Sequence, residues 1–278
     1  MSSILPNPTR TLSAIRHVSL DMDGTIYKGD YLFPYTVDFL ARLDDLGIGY
    51  TFLTNNSSKS VDAYLVHLRK MGIETTREKV YTSSLATIDY LRLHHPDVRR
   101  VFVLGTPSLK QEMADYDYMV VQGDDEPEAV VVGFDTALDY ERLCKCAWWI
   151  AQGKPYLATH PDAVCPTNQP TVLVDCGAIC ACLQTATGRQ PDAVPGKPDP
   201  AMLQGIMRRY DIQPHEMAMV GDRIYTDVAM AHNANAVGVL VLTGEATAHD
   251  AAISDQPPHF VMESIEELGR RLAESRQA

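Results

Sequence analysis

The chain has 278 residues, of which 45% are apolar and 22% are charged. This is the balance of a soluble globular protein. The formal net charge of −12 argues against a nucleic-acid partner, because binding to phosphate backbones requires a basic face. No apolar run approaches the roughly 20 residues that span a bilayer, and the N-terminal sequence lacks the features of a signal peptide. We therefore expect a cytoplasmic location and no membrane partner.

Short apolar runs alternate with amphipathic stretches along the chain, which is typical of a parallel sheet covered by helices. In chain order, strands are predicted at HVSLDMD, IGYTFLTNN, RVFVLG, AVVVGF, EMAMVGD and AVGVLVLTG. Helices are predicted at YTVDFLARLDDLG, SSKSVDAYLVHLRKMG, IYTDVAMAHNAN and MESIEELGRRLAESR. Ser57 or Ser58 is the expected N-cap of the second helix. The alternation predicts an α/β fold.

The six cysteines all lie in the middle third of the sequence. In a cytoplasmic protein they are expected to be free thiols. The stretch CGAICAC lacks the paired C-x-x-C spacing of structural zinc sites, so a zinc site is the weaker alternative.

Four polar clusters fall at expected strand ends. The first contains Asp21 and Asp23, which can project together because side chains at i and i+2 on a strand share a face. LTNNSS places a hydroxyl and several backbone N–H groups before a helix, as in a phosphate cradle. PGKPDP offers a single lysine, Lys197, and VGDRIYTD carries Asp222 and Asp227. Ligands of doubly wound sheets bind at the carboxyl ends of the strands, so the clusters predict one site.

Each cluster alone has a structural alternative. Asp-Gly is a common turn signal, and the residues from Thr54 to Ser58 match a helix N-cap. Lys197 fits a solvated surface lysine, and Asp222 fits a cap of the following helix. Four such coincidences in this order are improbable, so we prefer a common function.

Phosphoryl transfer accounts for all four clusters. Mg²⁺ typically takes one or two carboxylates together with phosphate and water as ligands. One aspartate can attack phosphorus and form an aspartyl phosphate. A second can protonate the leaving oxygen and then deprotonate the attacking water. A lysine and hydroxyl donors neutralise the remaining phosphoryl oxygens.

The motifs DMDGT, TNNSS, GKPDP and GDRIYTD resemble, in order, the four motifs of the haloacid dehalogenase-like superfamily. The resemblance implies a Rossmann-like, doubly wound parallel sheet core, with Asp21 as nucleophile and Asp23 as general acid and base. The phosphate-binding residues that it implies are Thr54, Asn55, Asn56 and Lys197. It implies that Mg²⁺ is bound by Asp21, the backbone carbonyl of Asp23 and Asp222, with Asp227 close by or behind these ligands.

Spacing between the motifs predicts the domain organisation. Only 33 positions separate Asp21 from Thr54, whereas 143 separate Thr54 from Lys197, which is enough for an inserted α/β domain. The predicted domains are a catalytic core, 1–82 with 193–278, and a smaller α/β cap, 83–192. This organisation resembles the branch that includes 4-nitrophenyl phosphatases, phosphoglycolate phosphatases, pyridoxal phosphate phosphatases and the nucleotide phosphatase of bacterial amino-sugar operons.

The cap is expected to recognise the leaving group. ATHPDAVCP and VDCGAICACLQTATGRQPDAVPGKPDP resemble the cap signature of this branch, although His160 stands where the branch usually has asparagine. The candidate specificity residues are Asp175, Cys176, Gly177, Ala178 and His160, with Asp162 behind them. The alternative is that Cys176 to Cys182 form a helix N-terminus that only packs small side chains.

The leading hypothesis is a Mg²⁺-dependent phosphatase that hydrolyses small phosphomonoesters, such as sugar phosphates or similar metabolites, through an aspartyl phosphate. One alternative is a phosphotransferase with an acceptor other than water. Another is a non-catalytic phosphate-binding module, against which Asp23 argues, because binding alone needs no proton donor. A homodimer formed through the cap is a further expectation left open.

Overall fold

The computed structural model describes residues 11–165 and 171–277. Residues 1–10, on which the expectation about a signal peptide rests, lie outside this part of the chain. Tertiary contacts divide the chain into two compact units. The first unit contains the described residues up to Phe52 and from Ile206 onward, and the second runs from Leu53 to Gly205.

The strands and helices alternate as expected of an α/β protein. Strands β1 to β14 are, in chain order, His17–Asp21, Tyr27–Lys28, Tyr31–Leu32, Gly49–Thr54, Val80–Thr82, Arg100–Leu104, Met119–Val121, Ala129–Val132, Tyr156–Ala158, Val164–Cys165, Leu173–Val174, Met217–Gly221, Val237–Val241 and Phe260–Met262. Helices α1 to α10 are, in chain order, Thr36–Asp45, Val61–Lys70, Ser83–His94, Pro107–Asp115, Tyr140–Ala151, Cys176–Thr187, Ala201–Tyr210, Ala229–Asn233, Ala248–Ile253 and Ile265–Glu274.

A six-stranded sheet has the order β14-β13-β12-β1-β4-β5. Within the first unit, β1 pairs in parallel with β12, β12 with β13, and β13 with β14. The register sets Leu20 opposite Val220, so β1 and β12 end side by side. Helix α10 packs against α1 through a buried stripe that includes Leu268 and Leu272, as the i, i+4 spacing of an amphipathic helix requires.

The second unit contains another parallel sheet, of order β7-β6-β8-β9. All residues of β8 are buried, as the continuous apolar run predicts for a strand covered on both faces. Helices α5 and α6 pack on this sheet and on each other, with Trp149, Ile179 and Leu183 in the shared core. The strands β10 and β11 form a separate antiparallel pair. Both sheets confirm the predicted α/β fold with a parallel core.

The strands predicted from the sequence are all present, and two helix predictions need correction. Helix α2 is capped by Ser60, whose side chain accepts a backbone hydrogen bond at 3.3 Å, so the prediction of Ser57 or Ser58 is wrong. Ser57 Oγ instead accepts a hydrogen bond from the N–H of Phe134, and Ser58 binds the side chain of Asn56. Both hydroxyls are therefore engaged away from the helix.

The helix predicted over IYTDVAMAHNAN begins with a π-helical turn, Ile224–Val228, before α8. The six cysteines all lie among the described residues and are thiols outside any disulfide, as expected. No helix within residues 11–165 and 171–277 is long and apolar enough to cross a membrane.

Candidate active site

Three aspartate carboxylates converge in the first unit. Asp21 is the last residue of β1, and Asp222 directly follows β12, the parallel neighbour of β1. Asp227 lies in the π-helical turn. One carboxylate oxygen from each residue lies within 4.8 Å of the other two. Parallel pairing of two strands that are 200 residues apart in sequence therefore brings the first and last motifs together.

The loop after β13 closes on Asp222. The N–H of Glu245 donates to Oδ2 of Asp222 at 2.8 Å, and the N–H of Ala246 donates to the backbone carbonyl of Asp222 at 3.0 Å. A Cβ at Gly244 would overlap the Asp222 carboxylate, and a Cβ at Gly24 would lie 2.6 Å from its Cγ. Only glycine allows the backbone to approach the carboxylate this closely from two loops.

Asp227 is held in the same way. It is buried, and its Oδ2 accepts a hydrogen bond from the N–H of Arg223 at 3.1 Å. A Cβ at Gly221 would lie 2.5 Å from the Cβ of Asp227. The Arg223 guanidinium pairs with Glu245 at 3.0 Å, and the hydroxyl of Tyr225 donates to Glu245 at 3.2 Å. The π-helical turn and the loop after β13 are thus joined around the carboxylates.

The electrostatics of Asp222 favour a bound cation. Burial, followed by the negative charges of Asp21 and Asp227, raises the pKa of Asp222 to about 7. Among the described residues, its Oδ1 is buried and has no hydrogen-bond partner. Buried polar atoms are normally satisfied, and a hard divalent ion satisfies carboxylate oxygens. The all-oxygen donor set and this unpartnered oxygen fit Mg²⁺.

Asp23 lies outside the strand. Because β1 ends at Asp21, the argument that both residues share a strand face is wrong for Asp23. It forms an isolated bridge with Tyr27, and Gly24, at φ +88°, donates its N–H to the Tyr27 carbonyl at 2.7 Å. The Asp23 side chain is exposed and accepts a hydrogen bond from Gly29 at 3.3 Å. The Asp23 carboxyl group is therefore accessible to water.

The residues expected to bind phosphate lie in the second unit. Thr54 ends β4, and its Oγ1 accepts a hydrogen bond from the N–H of Asn56 at 3.2 Å. The Oδ1 of Asn56 accepts from the N–H and the hydroxyl of Ser58, at 2.9 and 2.6 Å. Side chains of TNNSS therefore fold this loop back on itself ahead of α2.

Asn55 and Lys197 are brought together although they are 142 positions apart. Both residues are buried. The N–H of Lys197 donates to Oδ1 of Asn55 at 2.7 Å, and Nδ2 of Asn55 donates to the carbonyl of Lys197 at 3.0 Å. The same Nδ2 faces the carboxylate of Asp162, at 3.2 and 3.4 Å. The second and third motifs are thus joined through one side-chain amide.

Three of the candidate specificity residues form a buried cluster. Asp175 is the N-cap of α6, and its Oδ1 accepts from the N–H of Cys176 and lies 2.9 Å from Nε2 of His160. The other ring nitrogen of His160 lies 2.9 Å from Oγ1 of Thr159, whose hydroxyl donates to Ser57. Burial disfavours the imidazolium, but the Asp175 hydrogen bond and nearby negative charges outweigh it and raise the pKa of His160 to about 9.

Gly177 and Ala178 are partly exposed at the start of α6. The N–H of Gly177 donates to the carbonyl of Asp162 at 2.8 Å, and a Cβ at Gly177 would lie 2.8 Å from the carbonyl carbon of Pro161. The first turn of α6 therefore packs directly on His160–Asp162, the HPD segment.

Sequence reasoning did not single out two groups that position the site residues. Thr243 Oγ1 donates to the carbonyl of Gly24 at 2.6 Å, and its only sequence signal is the neighbouring Gly244 after an apolar run. Glu112 is almost fully buried and accepts from the N–H of Val61 at 3.0 Å. Burial raises the pKa of Glu112 to about 6. It fixes the start of α2, which follows the TNNSS loop.

Known proteins resemble this chain over nearly its whole length. Residues 18–119 match the family described as haloacid dehalogenase-like hydrolase, and residues 194–268 match the one described as HAD-hydrolase-like. The acid sugar phosphatase of Staphylococcus epidermidis is 31% identical over 255 residues, which cover 92% of this chain and 96% of that protein.

Solved structures give the same result. A 4-nitrophenylphosphatase from Thermotoga maritima superposes with a TM-score of 0.88 at 40% identity, covering 93% of this chain and 98% of that one. A glycerol phosphate phosphatase from Mycobacterium tuberculosis, in complex with magnesium, has a TM-score of 0.85 at 30% identity, covering 94% and 78%. The family predicted from the four motifs is confirmed: the chain belongs to the haloacid dehalogenase-like hydrolases, among the phosphoric monoester hydrolases of that family.

Proposed function

We propose that this chain is a Mg²⁺-dependent phosphatase that hydrolyses small phosphomonoesters through a phosphorylated Asp21. The observation that carries the proposal is the convergence of Asp21, Asp222 and Asp227, with one oxygen of each within 4.8 Å. Carboxylates this close resist joint ionisation unless a cation lies among them. Within the described part of the chain, the unpartnered Oδ1 of Asp222 supports the same interpretation.

The residues that would hold Mg²⁺ are Asp21, Asp222 and the backbone carbonyl of Asp23, with Asp227 close behind them. When bound, the ion supplies positive charge that neutralises the phosphoryl oxygens. The hydrogen bond from Glu245 to Asp222 keeps one carboxylate oxygen in place.

The first step transfers the phosphoryl group to the protein. A carboxylate oxygen of Asp21 attacks phosphorus, and the bond from phosphorus to the leaving oxygen breaks. Protonated Asp23 donates its proton to that oxygen, so the leaving group departs as an alcohol. Thr54 and Lys197 are assigned to the remaining phosphoryl oxygens by resemblance to the family motifs, and donors at these oxygens stabilise the transition state.

The second step regenerates the enzyme. Asp23, now a carboxylate, accepts a proton from a water molecule whose oxygen attacks phosphorus. The bond between phosphorus and Asp21 breaks, and inorganic phosphate is released. The exposed position of the Asp23 side chain supports this dual role, because both the departing alcohol and the attacking water can reach it.

The substrate class proposed is a phosphate ester of a small polyol or sugar. The names of the Staphylococcus epidermidis and Mycobacterium tuberculosis relatives support it. A net charge of −12 also favours small substrates over polyanionic ones such as nucleic acids.

The direct test measures inorganic phosphate released from 4-nitrophenyl phosphate, sugar phosphates and glycerol phosphate. Mg²⁺ is added, removed with a chelator and added again, and we expect activity to appear, disappear and return. Equal release with and without Mg²⁺ would contradict the metal requirement. No release from any ester would favour a phosphate-binding module. New phosphate esters formed when glycerol or glucose is added would favour a phosphotransferase.

A further inference from the structure

We infer that the side chain of Asn55 positions Lys197 and is not itself a ligand of the phosphoryl group. The inference deepens the proposed function and rests on it, because Lys197 is assigned to the phosphoryl group there. It changes the role expected for Asn55 from the TNNSS motif.

The hydrogen-bonding capacity of the Asn55 side chain carries the argument. A side-chain amide has two N–H donors on Nδ2 and two acceptor sites on Oδ1. One donor binds the carbonyl of Lys197 at 3.0 Å, and the other lies between the two carboxylate oxygens of Asp162, at 3.2 and 3.4 Å. Oδ1 accepts from the N–H of Lys197 at 2.7 Å. Both donors are occupied, and phosphate oxygens need donors, so this side chain has nothing to offer a phosphoryl group.

The orientation of this amide is fixed by its partners. The N–H of Lys197 requires an acceptor and its carbonyl requires a donor, so exchanging the oxygen and nitrogen of Asn55 would break both bonds. Both backbone hydrogen-bonding groups of Lys197 are thus paired with one side-chain amide, as in two paired residues of neighbouring β-strands. This pairing fixes the backbone at Lys197 and therefore the direction in which its side chain leaves the main chain.

Neighbouring residues favour the pairing of Asn55 with Lys197. Gly196 precedes Lys197, and a Cβ at that position would lie 2.7 Å from the Cβ of His160 and 3.0 Å from Oδ1 of Asn55. A side chain there would push the Lys197 backbone away from Asn55. The carbonyl of Asn55 in turn accepts a hydrogen bond from the hydroxyl of Ser83, at the start of α3. The backbone of Asn55 is therefore held in place as well as its side chain.

Asp162 extends the contact to the HPD segment. Its backbone carbonyl accepts from the N–H of Gly177 in the first turn of α6, while its carboxylate faces Nδ2 of Asn55. Any change in this segment that moves the Asp162 carboxylate alters the same amide that holds Lys197. Asn55 thereby links the segment between β9 and β10 to the backbone of the motif lysine.

A double-mutant cycle tests whether Asn55 acts through Lys197. The variants are Asn55→Ala, Lys197→Met and the double variant, each measured for kcat/KM with 4-nitrophenyl phosphate and for the affinity of inorganic phosphate by calorimetry. Misplacement of a positioned group by 1 Å can cost about 10²-fold, so we expect Asn55→Ala to lose about that much activity. We expect the double variant to lose no more than about threefold beyond Lys197→Met, because coupled residues are not additive.

A different result is expected if Asn55 and Lys197 contact the phosphoryl group independently of each other. If losses of the two single variants multiply in the double variant, Asn55 contacts the phosphoryl group by itself and the inference is wrong. If Lys197→Met retains wild-type activity while the wild type hydrolyses the ester, the assigned role of Lys197 fails and the inference fails with it. A wild-type protein that neither binds phosphate nor hydrolyses any ester overturns the proposed function and, with it, this inference.

A charge pair tests the contact with Asp162 and does not depend on the alanine variant folding. Asn55→Asp keeps the acceptor for the N–H of Lys197 but removes the donor to the Lys197 carbonyl and sets a carboxylate against Asp162. Asn55→Asp combined with Asp162→Asn restores a donor between the two side chains. We expect the combined variant to recover at least about tenfold of the activity that Asn55→Asp loses, since each tenfold corresponds to about 1.4 kcal/mol. No recovery, in a folded protein, would overturn the link to Asp162.

Discussion

The backbone of Glu245 holds one oxygen of Asp222 and leaves the other without a partner in the described residues. The N–H of Glu245 donates to Oδ2 at 2.8 Å, whereas Oδ1 is buried and unpaired. The hydrogen bond to one oxygen holds the carboxylate in place, and the other oxygen remains available as a ligand beside Asp21 and Asp227. It also makes the loop after β13 part of the proposed Mg²⁺ site, although no side chain of that loop contributes a ligand.

We expect Gly244→Ala to weaken the response to Mg²⁺. The new Cβ would overlap the Asp222 carboxylate, so this carboxylate must leave its position in the cluster with Asp21 and Asp227. The Mg²⁺ concentration for half-maximal activity should rise about tenfold or more, because changing groups that orient metal ligands typically lowers metal affinity by about 10- to 100-fold. Activity measured against Mg²⁺ concentration checks this.

Gly47→Ala provides the matched control for Gly244→Ala. Gly47 has φ +66° with nothing within 4 Å of an added Cβ, so alanine there strains the backbone without touching the site. It should lower the melting temperature and leave the Mg²⁺ response unchanged. The same Mg²⁺ response in wild type and Gly244→Ala would show that the loop does not position Asp222.

Asp21→Asn should abolish turnover while the protein stays folded. The amide cannot form the covalent intermediate, and removing a nucleophile typically costs several orders of magnitude in kcat. We expect a loss of at least about 10³-fold in phosphate release, with an unchanged circular dichroism spectrum. Asp30→Asn, an exposed aspartate close in sequence, is the control. Turnover near the wild-type level in a homogeneous Asp21→Asn sample would rule out the aspartyl phosphate.

The effect of Asp23→Ala should depend on the leaving group. A 4-nitrophenolate departs with little protonation, whereas a sugar alkoxide must be protonated as it leaves. Single-turnover phosphorylation of Asp21 should therefore slow much more with a sugar phosphate than with 4-nitrophenyl phosphate. Equal slowing with the two substrates would argue against an acid role for Asp23.

Stability should fall as the pH rises from about 6.5 to about 9, because of His160. Its pKa is raised to about 9 in the folded chain, against about 6.5 in the unfolded chain. In this pH range the folded protein therefore holds a proton that the unfolded one has lost. The stability that this proton contributes is complete below about pH 6.5 and is lost as the pH rises through about 9. The slope is at most about 1.4 kcal/mol for each pH unit.

Urea unfolding at several pH values measures this slope. His160→Asn removes the titrating ring and should give a flatter dependence over the same window. Parallel curves for the two proteins would mean that His160 carries no proton in the folded state. The Asp175 hydrogen bond would then be made by a neutral ring.

Local patterns predicted the strands and the aspartates at their ends, because both depend on short stretches of sequence. A continuous apolar run such as AVVVGF is sufficient to indicate β8, and an aspartate after such a run indicates a strand end. The N-cap of α2 was missed for a tertiary reason. Ser57 binds the N–H of Phe134, 77 positions away, and no local rule can anticipate that partner.

The hydrogen-bond partners of Asn55 and His160 could not be read from motifs for the same reason. The partners of Asn55 are 142 and 107 positions away, and the partner of His160 is 15 positions away across β10 and β11. Motif spacing identifies residues that share a site. It does not indicate which of their hydrogen-bonding groups are already used inside the fold.

The glycines around Asp222 and Asp227 also bear on the cost of ordering the two carboxylates. Gly24 and Gly244 lie against Asp222, and Gly221 lies against Asp227. Main-chain atoms at these three positions therefore restrict the movement of both side chains. Because the carboxylates are ordered by backbone packing, binding an ion there carries a smaller entropic cost.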